Sequence, residues 1–167
     1  MNATALMAAL NTVEQDHRLV LEKSQALKDI VSYLVEGGDM DGHQLLGRLR
    51  DINKYFATEF ENHLEEEETT LFPLFETHKP EGSELAARLR QEHTELRRKR
   101  QEFEDCLEVA GSLEDTLPRT VLRDLLGYGW EFWEVLDHHA HAEALGLHQY
   151  MARSLAEPEA TSESPTE

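Results

Sequence analysis

Basic residues, cysteine, strand-like alternation and long apolar runs are all scarce in this chain of 167 residues. Sixteen lysines and arginines stand against 34 aspartates and glutamates, a formal net charge of −18. Nucleic acids and anionic membranes would repel such a chain, so neither is expected as a partner. The one basic run, Arg97 to Arg100, reads as a solvated helix face, because Arg98 stands four before Glu102 and Arg100 four before Glu104. Cys106 is the only cysteine, which excludes an intrachain disulfide and a thiolate metal cluster and points to a reducing, cytoplasmic location. Beside Phe103 and Leu107 it is expected to be a small buried hydrophobe. The longest apolar stretches fall well short of the ~20 residues that span a bilayer. The first residues lack the charged start of a secretory signal, so a secreted or integral membrane protein is not expected.

What is present is a helical apolar period nearly throughout. It predicts a first helix from about Thr4 to Glu36, stopped by Gly37-Gly38. Asp41 is placed as the N-cap of a second helix, with Gln44 completing a box-like Asp-x-x-Gln. That helix carries Leu45, Leu49, Ile52, Phe56, Phe60 and Leu64 as its core stripe and ends between Pro73 and Pro80. A third helix opens at Ser83 or the preceding turn and reaches Gly111; a fourth starts at Thr116-Leu117-Pro118 and runs to about Ser154. Short connections between four long helices imply an all-α, antiparallel up-down-up-down four-helix bundle, built from a duplicated helix hairpin. Residues 1–155 form this one domain; 156–167, rich in Glu, Pro, Ser and Thr, are expected to be a disordered acidic tail.

The duplication is visible in the chemistry. His17 and His93, His63 and His139, and Glu67 and Glu143 each stand 76 positions apart. The echo extends to neighbours: Glu14 to His17 matches Arg90 to His93, Phe56 matches Phe132, and Leu71 matches Leu147. Residues four apart share a helix face, so His63 points with Glu67 and His139 with Glu143. Phe56 and Phe60 lie on the first of these stripes, Phe132 and Leu136 on the second, which turns both His–Glu pairs toward the bundle interior. An ionised carboxylate buried without a partner is costly, and bound metal removes that cost. Four imidazoles and two carboxylates exceed what one tetrahedral zinc takes and suit two metals. Bridging carboxylates, together with a bridging oxo or hydroxo group, would leave an open position on each, a donor set that fits iron or manganese. Two separate mononuclear sites and a metal-free, hydrogen-bonded polar layer are the other readings of these residues.

At these residues the chain resembles the hemerythrin-like HHE cation-binding domain family, in the symmetric pattern His, His-x-x-x-Glu, His, His-x-x-x-Glu. The stretch from His63 to Pro73, ending Leu71-Phe72-Pro73, strengthens the likeness, which covers about residues 5 to 152. The resemblance implies a four-helix bundle around a non-haem pair of iron ions (Fe2+/Fe3+), with His17, His63, Glu67, His93, His139 and Glu143 as metal ligands. The oxygen-carrying members place a fifth histidine where Arg97 stands here and an aspartate where Ala144 stands. Arginine stays protonated and cannot ligate iron. The four-His, two-Glu set is instead similar to members associated with stress response, iron–sulfur repair and iron sensing. Ferritin-like bundles, the rival di-iron architecture, use Glu-x-x-His and mostly carboxylates, a pattern that this chain lacks at its repeat positions.

Histidines outside the set are assigned to the surface: His43 and His78 near helix ends, and His138, His141 and His148 on another face of the fourth helix. His148 and Gln149 stand where the first repeat has phenylalanine and proline, which makes that end more polar and an expected entrance. Glu59, one turn before His63, is a candidate to ligate metal or orient that histidine, and its counterpart Val135 can do neither; an outer-sphere or plain surface role is the favoured expectation. Tyr55, Tyr128 and Tyr150 are candidate hydrogen-bond donors to a bound oxidant. The expected function is binding, with reduction or disproportionation, of a small oxidant (hydrogen peroxide, O2 or nitric oxide), and no catalytic acid is identified. The alternative is an iron or oxygen sensor, or an iron store or donor, without turnover.

Overall fold

A computed structural model describes the backbone over residues 3–77, 80–113 and 117–156, and side chains over 17–77, 81–113 and 117–149. The helical period becomes four helices: α1 (Ala3–Val35), α2 (from Gly42 to Glu76), α3 (Pro80–Gly111) and α4 (Arg119–Ala156), with no strand among the described residues. Gly37, at φ +90°, ends α1. The Gly38 N–H donates to the Tyr33 carbonyl at 2.8 Å and the Gly37 N–H to that of Leu34 at 3.2 Å, which satisfies carbonyls the helix would otherwise leave open. Asp41 caps α2 as expected, its carboxylate accepting from the backbone N–H of His43 at 3.0 Å and of Gln44 at 3.1 Å. The third helix opens three residues earlier than Ser83, with Pro80 at its first position, where a missing N–H costs nothing. Pro118 precedes α4, and its carbonyl accepts from the Leu122 N–H at 2.9 Å. His78, Thr116 and residues 157–167 of the expected tail lie outside the described residues; Ala156 still belongs to α4.

One feature of α2 was not expected. Its path contains two wide π-helical turns, Phe56–Phe60 and Glu67–Leu71, either side of the short α-helical span Glu61–Glu66. In the second, the Phe72 N–H donates to the carbonyl of Glu67, five residues back. Each wide turn holds a threonine whose hydroxyl bonds a carbonyl four residues back: Thr58 to Lys54 at 2.9 Å and Thr69 to Glu65 at 2.7 Å. Such back-bonding competes with the helical ladder and bends it. The repeat counterparts on α4, Glu134 and Leu145, have no hydroxyl, and α4 is regular α-helix throughout.

Each helix packs on its two neighbours, α1 on α2 and α4, and α3 on α2 and α4. The larger apolar cluster fills the half of the bundle nearest the α1–α2 connection, with Leu27, Leu45, Leu49, Phe56, Phe103, Leu125 and Phe132 among its fully buried members. The rings of Phe56 and Phe132, partners in the repeat, meet edge-to-face with centroids 5.0 Å apart. A smaller cluster of Leu71, Phe72, Phe75, Ala86, Leu89 and Leu147 closes the other end. Along α2, α3 and α4 the buried His and Glu residues fall between the two clusters, so the polar layer is shut off from water on both sides along the bundle axis.

Candidate metal centre

All six expected donors converge. His63, Glu67, His93, His139 and Glu143 are buried, and only His17 retains partial exposure. Each of the four histidines in the set turns its Nε2 inward. His17 Nε2 stands 2.8 Å from Glu143 Oε2 and 3.7 Å from Glu67 Oε1. His63 Nε2 is 3.0 Å from Glu67 Oε1, His93 Nε2 is 3.3 Å from Glu67 Oε2, and His139 Nε2 is 3.8 Å from Glu143 Oε2. Glu67 thus sits among three imidazoles and Glu143 between two. The donor atoms form two groups within metal-binding span of one another: His17, His63, Glu67 and Glu143, and Glu67, His93 and His139. Glu67 belongs to both.

The donor set fits cations. Close as these approaches are, none of the four oxygens of Glu67 and Glu143, nor Nε2 of His93 or His139, has a hydrogen-bond partner among the described residues. Unsatisfied buried carboxylate oxygens cost several kcal/mol, by order of magnitude, unless a cation or proton meets them. The site's response to protons says the same. Burial alone would lower the pKa of His17, but its contacts with Glu143 and Glu67 push it up to about 10. His63 is likewise raised against its own burial, by Glu67. Burial works to raise Glu67, yet its three histidines hold it well below the usual carboxylate range, whereas burial and the charge of Glu67 raise Glu143. Without metal the layer takes up protons in its place.

The outer faces of two histidines are held by carboxylates that the sequence reading did not single out. His93 Nδ1 lies 2.8 Å from Glu68 Oε1, and His139 Nδ1 lies 2.9 Å from Glu92 Oε2. A carboxylate on Nδ1 fixes the tautomer that leaves Nε2 free to bind metal. Glu68 is in turn held by Arg97, whose Nη1 donates to the same Oε1 at 2.7 Å while its Nε donates to Glu61 at 2.6 Å. Burial would raise Glu68, but Arg97 and His93 keep it below its ordinary value. The basic run therefore divides: Arg98 pairs with Glu95 and Glu102 on the exposed face, as the solvated-face reading expects, whereas Arg100, paired with Glu104 at 2.7 Å, is half-buried and Arg97 is turned toward the site. The available signal was position, since Glu68 directly follows Glu67 and Glu92 directly precedes His93.

Among the other candidates, Phe60 stacks on His63 with centroids 5.9 Å apart, and Leu136 is buried in the larger cluster. Phe56 and Phe132 lie deeper in that cluster, packed on each other. Glu59 is exposed, which fits its surface reading over an orienting one, and its charge stays hydrated there. His138, His141 and His148 are exposed, the last two bonded to carbonyls of their own helix at 2.7 and 2.9 Å. Phe72, the repeat partner of His148, is fully buried, its ring tilted against His93 at 5.2 Å. Tyr128 is exposed, Tyr55 packs against Phe56, and the Tyr150 side chain lies outside the described residues. Cys106 is half-buried against the larger cluster, and burial with the nearby Asp124 raises its thiol pKa.

Fold and site together define a helical bundle built around a His/Glu cation-binding layer. The chain belongs to the hemerythrin HHE cation-binding domain family, whose model matches residues 8–151. Domains of this family bind metal ions, typically iron. No curated protein and no solved structure gives a match. No described helix is long and apolar enough to cross a membrane.

Proposed function

We propose that the chain holds two iron ions and binds a small oxidant (hydrogen peroxide, O2 or nitric oxide), reducing or disproportionating it in stress response. The observation that carries this reading is the convergence of four Nε2 atoms on two buried carboxylates, with Glu67 common to both groups of donors. His17, His63, Glu67 and Glu143 are the proposed ligands of one ion; Glu67, His93 and His139, with Glu143 within reach of His139, are those of the other. Manganese fits the same donors. Metal ions bound there would supply open coordination positions and electrons for the oxidant.

The chain's own residues supply the rest. Glu67 and Glu143 balance the charge of the cations, and Glu68 and Glu92 keep His93 and His139 in the ligating tautomer. Phe60 and Phe72 cover His63 and His93 and exclude bulk water. His17, the one donor still partly exposed, marks the side from which a small molecule reaches the layer. In this reading residues 1–155 are the functional unit, in the cytoplasm, with 156–167 as a tail outside it.

A second reading has a specific observation behind it: the two buried carboxylates must be met either by cations or by protons on the histidines around them, so metal occupancy and bundle stability are linked. That is the property required of an iron or oxygen sensor, or of an iron donor. Metal analysis with the optical spectrum, before and after hydrogen peroxide, separates the readings. Two irons per chain with gas evolution or oxidant loss supports turnover. Two irons without turnover favours sensing or donation, and protein grown in ample iron yet free of metal overturns both.

A further inference from the structure

Arg97 follows His93 by one turn on α3 and reaches across to α2, where it joins Glu61 and Glu68. One oxygen, Glu68 Oε1, accepts from Arg97 on one side and meets His93 Nδ1 on the other. An ionised carboxylate only accepts, so Nδ1 carries the proton and the lone pair stays on Nε2, the nitrogen that faces Glu67. His139 has no equally built arrangement: Glu92 holds its Nδ1, but among the described residues the cation beside Glu92 is Arg88 at 3.6 Å, itself more than half exposed. His93 also belongs to the smaller group of donors, with only Glu67 and His139 beside it. A ring out of place there removes one donor in three, against one in four on the other side.

We propose that Arg97 is a positioning residue: by pinning Glu68 between α2 and α3 it fixes His93 as an Nε2 ligand and sets the affinity of the metal position formed by Glu67, His93 and His139. The proposal rests on the metal-binding reading above. It adds a graded hierarchy, in which the position without the His17–His63 pair depends on an arginine that touches no metal. The guanidinium fork matters as well as its charge, because two carboxylates from different turns of α2 are held at once.

Zinc, being diamagnetic, is the probe, and competition with a chelating dye reads the two positions separately. In Arg97→Met the tighter zinc is held as in the unaltered chain, and the weaker loses about ten-fold or more in affinity. Arg97→Lys recovers part of that loss, Glu61→Gln produces a smaller shift at the same position, and Arg98→Met changes neither. Long-range nitrogen–proton NMR supplies a readout that a purely structural contact would not move. The His93 ring shows one protonated nitrogen in the unaltered chain and a mixture of tautomers in Arg97→Met, while His139 is unchanged. Equal weakening of both zinc positions, or an unchanged His93 tautomer, overturns the proposal. If the unaltered chain binds neither zinc nor iron, the functional reading fails. The His93 signals of the metal-free protein then decide the positioning role, an unchanged ring sinking it.

Discussion

The two halves of the molecule contribute the same three donors at the same spacing and yet are not equivalent. In the first half, α2 widens into π turns on both sides of His63, each with a threonine hydroxyl drawn into the ladder; in the second, α4 passes its pair as plain α-helix. Glu67 lies among three histidines and is held ionised, whereas Glu143 lies between two and is pushed toward its protonated form. Beyond the ligands, Phe72 turns into the core against His93 while its counterpart His148 faces solvent. Duplication gives a two-fold donor set, and small departures in backbone and neighbours are enough to make one carboxylate central and the other peripheral.

The most severe test removes the two carboxylates one at a time. Glu67→Ala should abolish stoichiometric binding of both metals, since its oxygens serve both groups, whereas Glu143→Ala should retain one metal per chain. Equal loss in the two variants would show that the asymmetry disappears once metal is bound. Where the halves are alike, their variants should match. Phe56→Ala and Phe132→Ala, both fully buried and facing each other, should each destabilise the metal-free bundle by about 3–5 kcal/mol in denaturant unfolding. The double variant should cost less than their sum, by about 1 kcal/mol, because the ring pair is lost only once.

The third test uses pH. The pKa of His17 rises from 6.5 to about 10 on folding, so its proton stabilises the metal-free fold fully below pH 6.5, and that contribution is lost as pH climbs toward 10. Metal binding needs the neutral ring, so affinity at the His17 group should strengthen with pH over the same window, up to about ten-fold per unit for one proton. Titration in buffers of different ionisation heat at pH 8 should count at least one proton released per chain loaded. Release of none would mean that the metal-free layer holds no such proton. The smallest effect is expected at Glu59: replacement by alanine should leave metal content unchanged and shift stability by no more than about 0.5 kcal/mol.

The architecture was legible because its signals are local and redundant. Gly37 and Asp41 punctuate one connection, Pro118 marks a helix start, and every helix carries its own apolar stripe; Pro80, read as the end of α2, instead opens α3. The convergence of the six donors was legible because the constant offset of 76 ties two helices to two others. The outer partners were not. Four consecutive glutamates, Glu65 to Glu68, follow Leu64, and which of them faces His93 depends on helix rotation to within a fraction of a turn. The wide turn starting at Glu67 alters that rotation, and nothing in the apolar period announces it, since Leu71 remains buried four residues on. Arg97 was hidden differently: its neighbour Arg98 does lie on a solvated face, and pairing arithmetic cannot tell that one member of the run reaches across to another helix.

The polar layer lies nearer one end of the bundle, with the larger apolar cluster on one side and the smaller on the other. Mechanically it is a rivet through four rods, set off-centre. A loaded rivet stiffens what lies close to it, so the rods should splay first at the far end, around the α1–α2 connection, and last beside His63, His93 and His139. Amide hydrogen exchange should then run as a gradient along each rod, steep with metal in place and shallow without it.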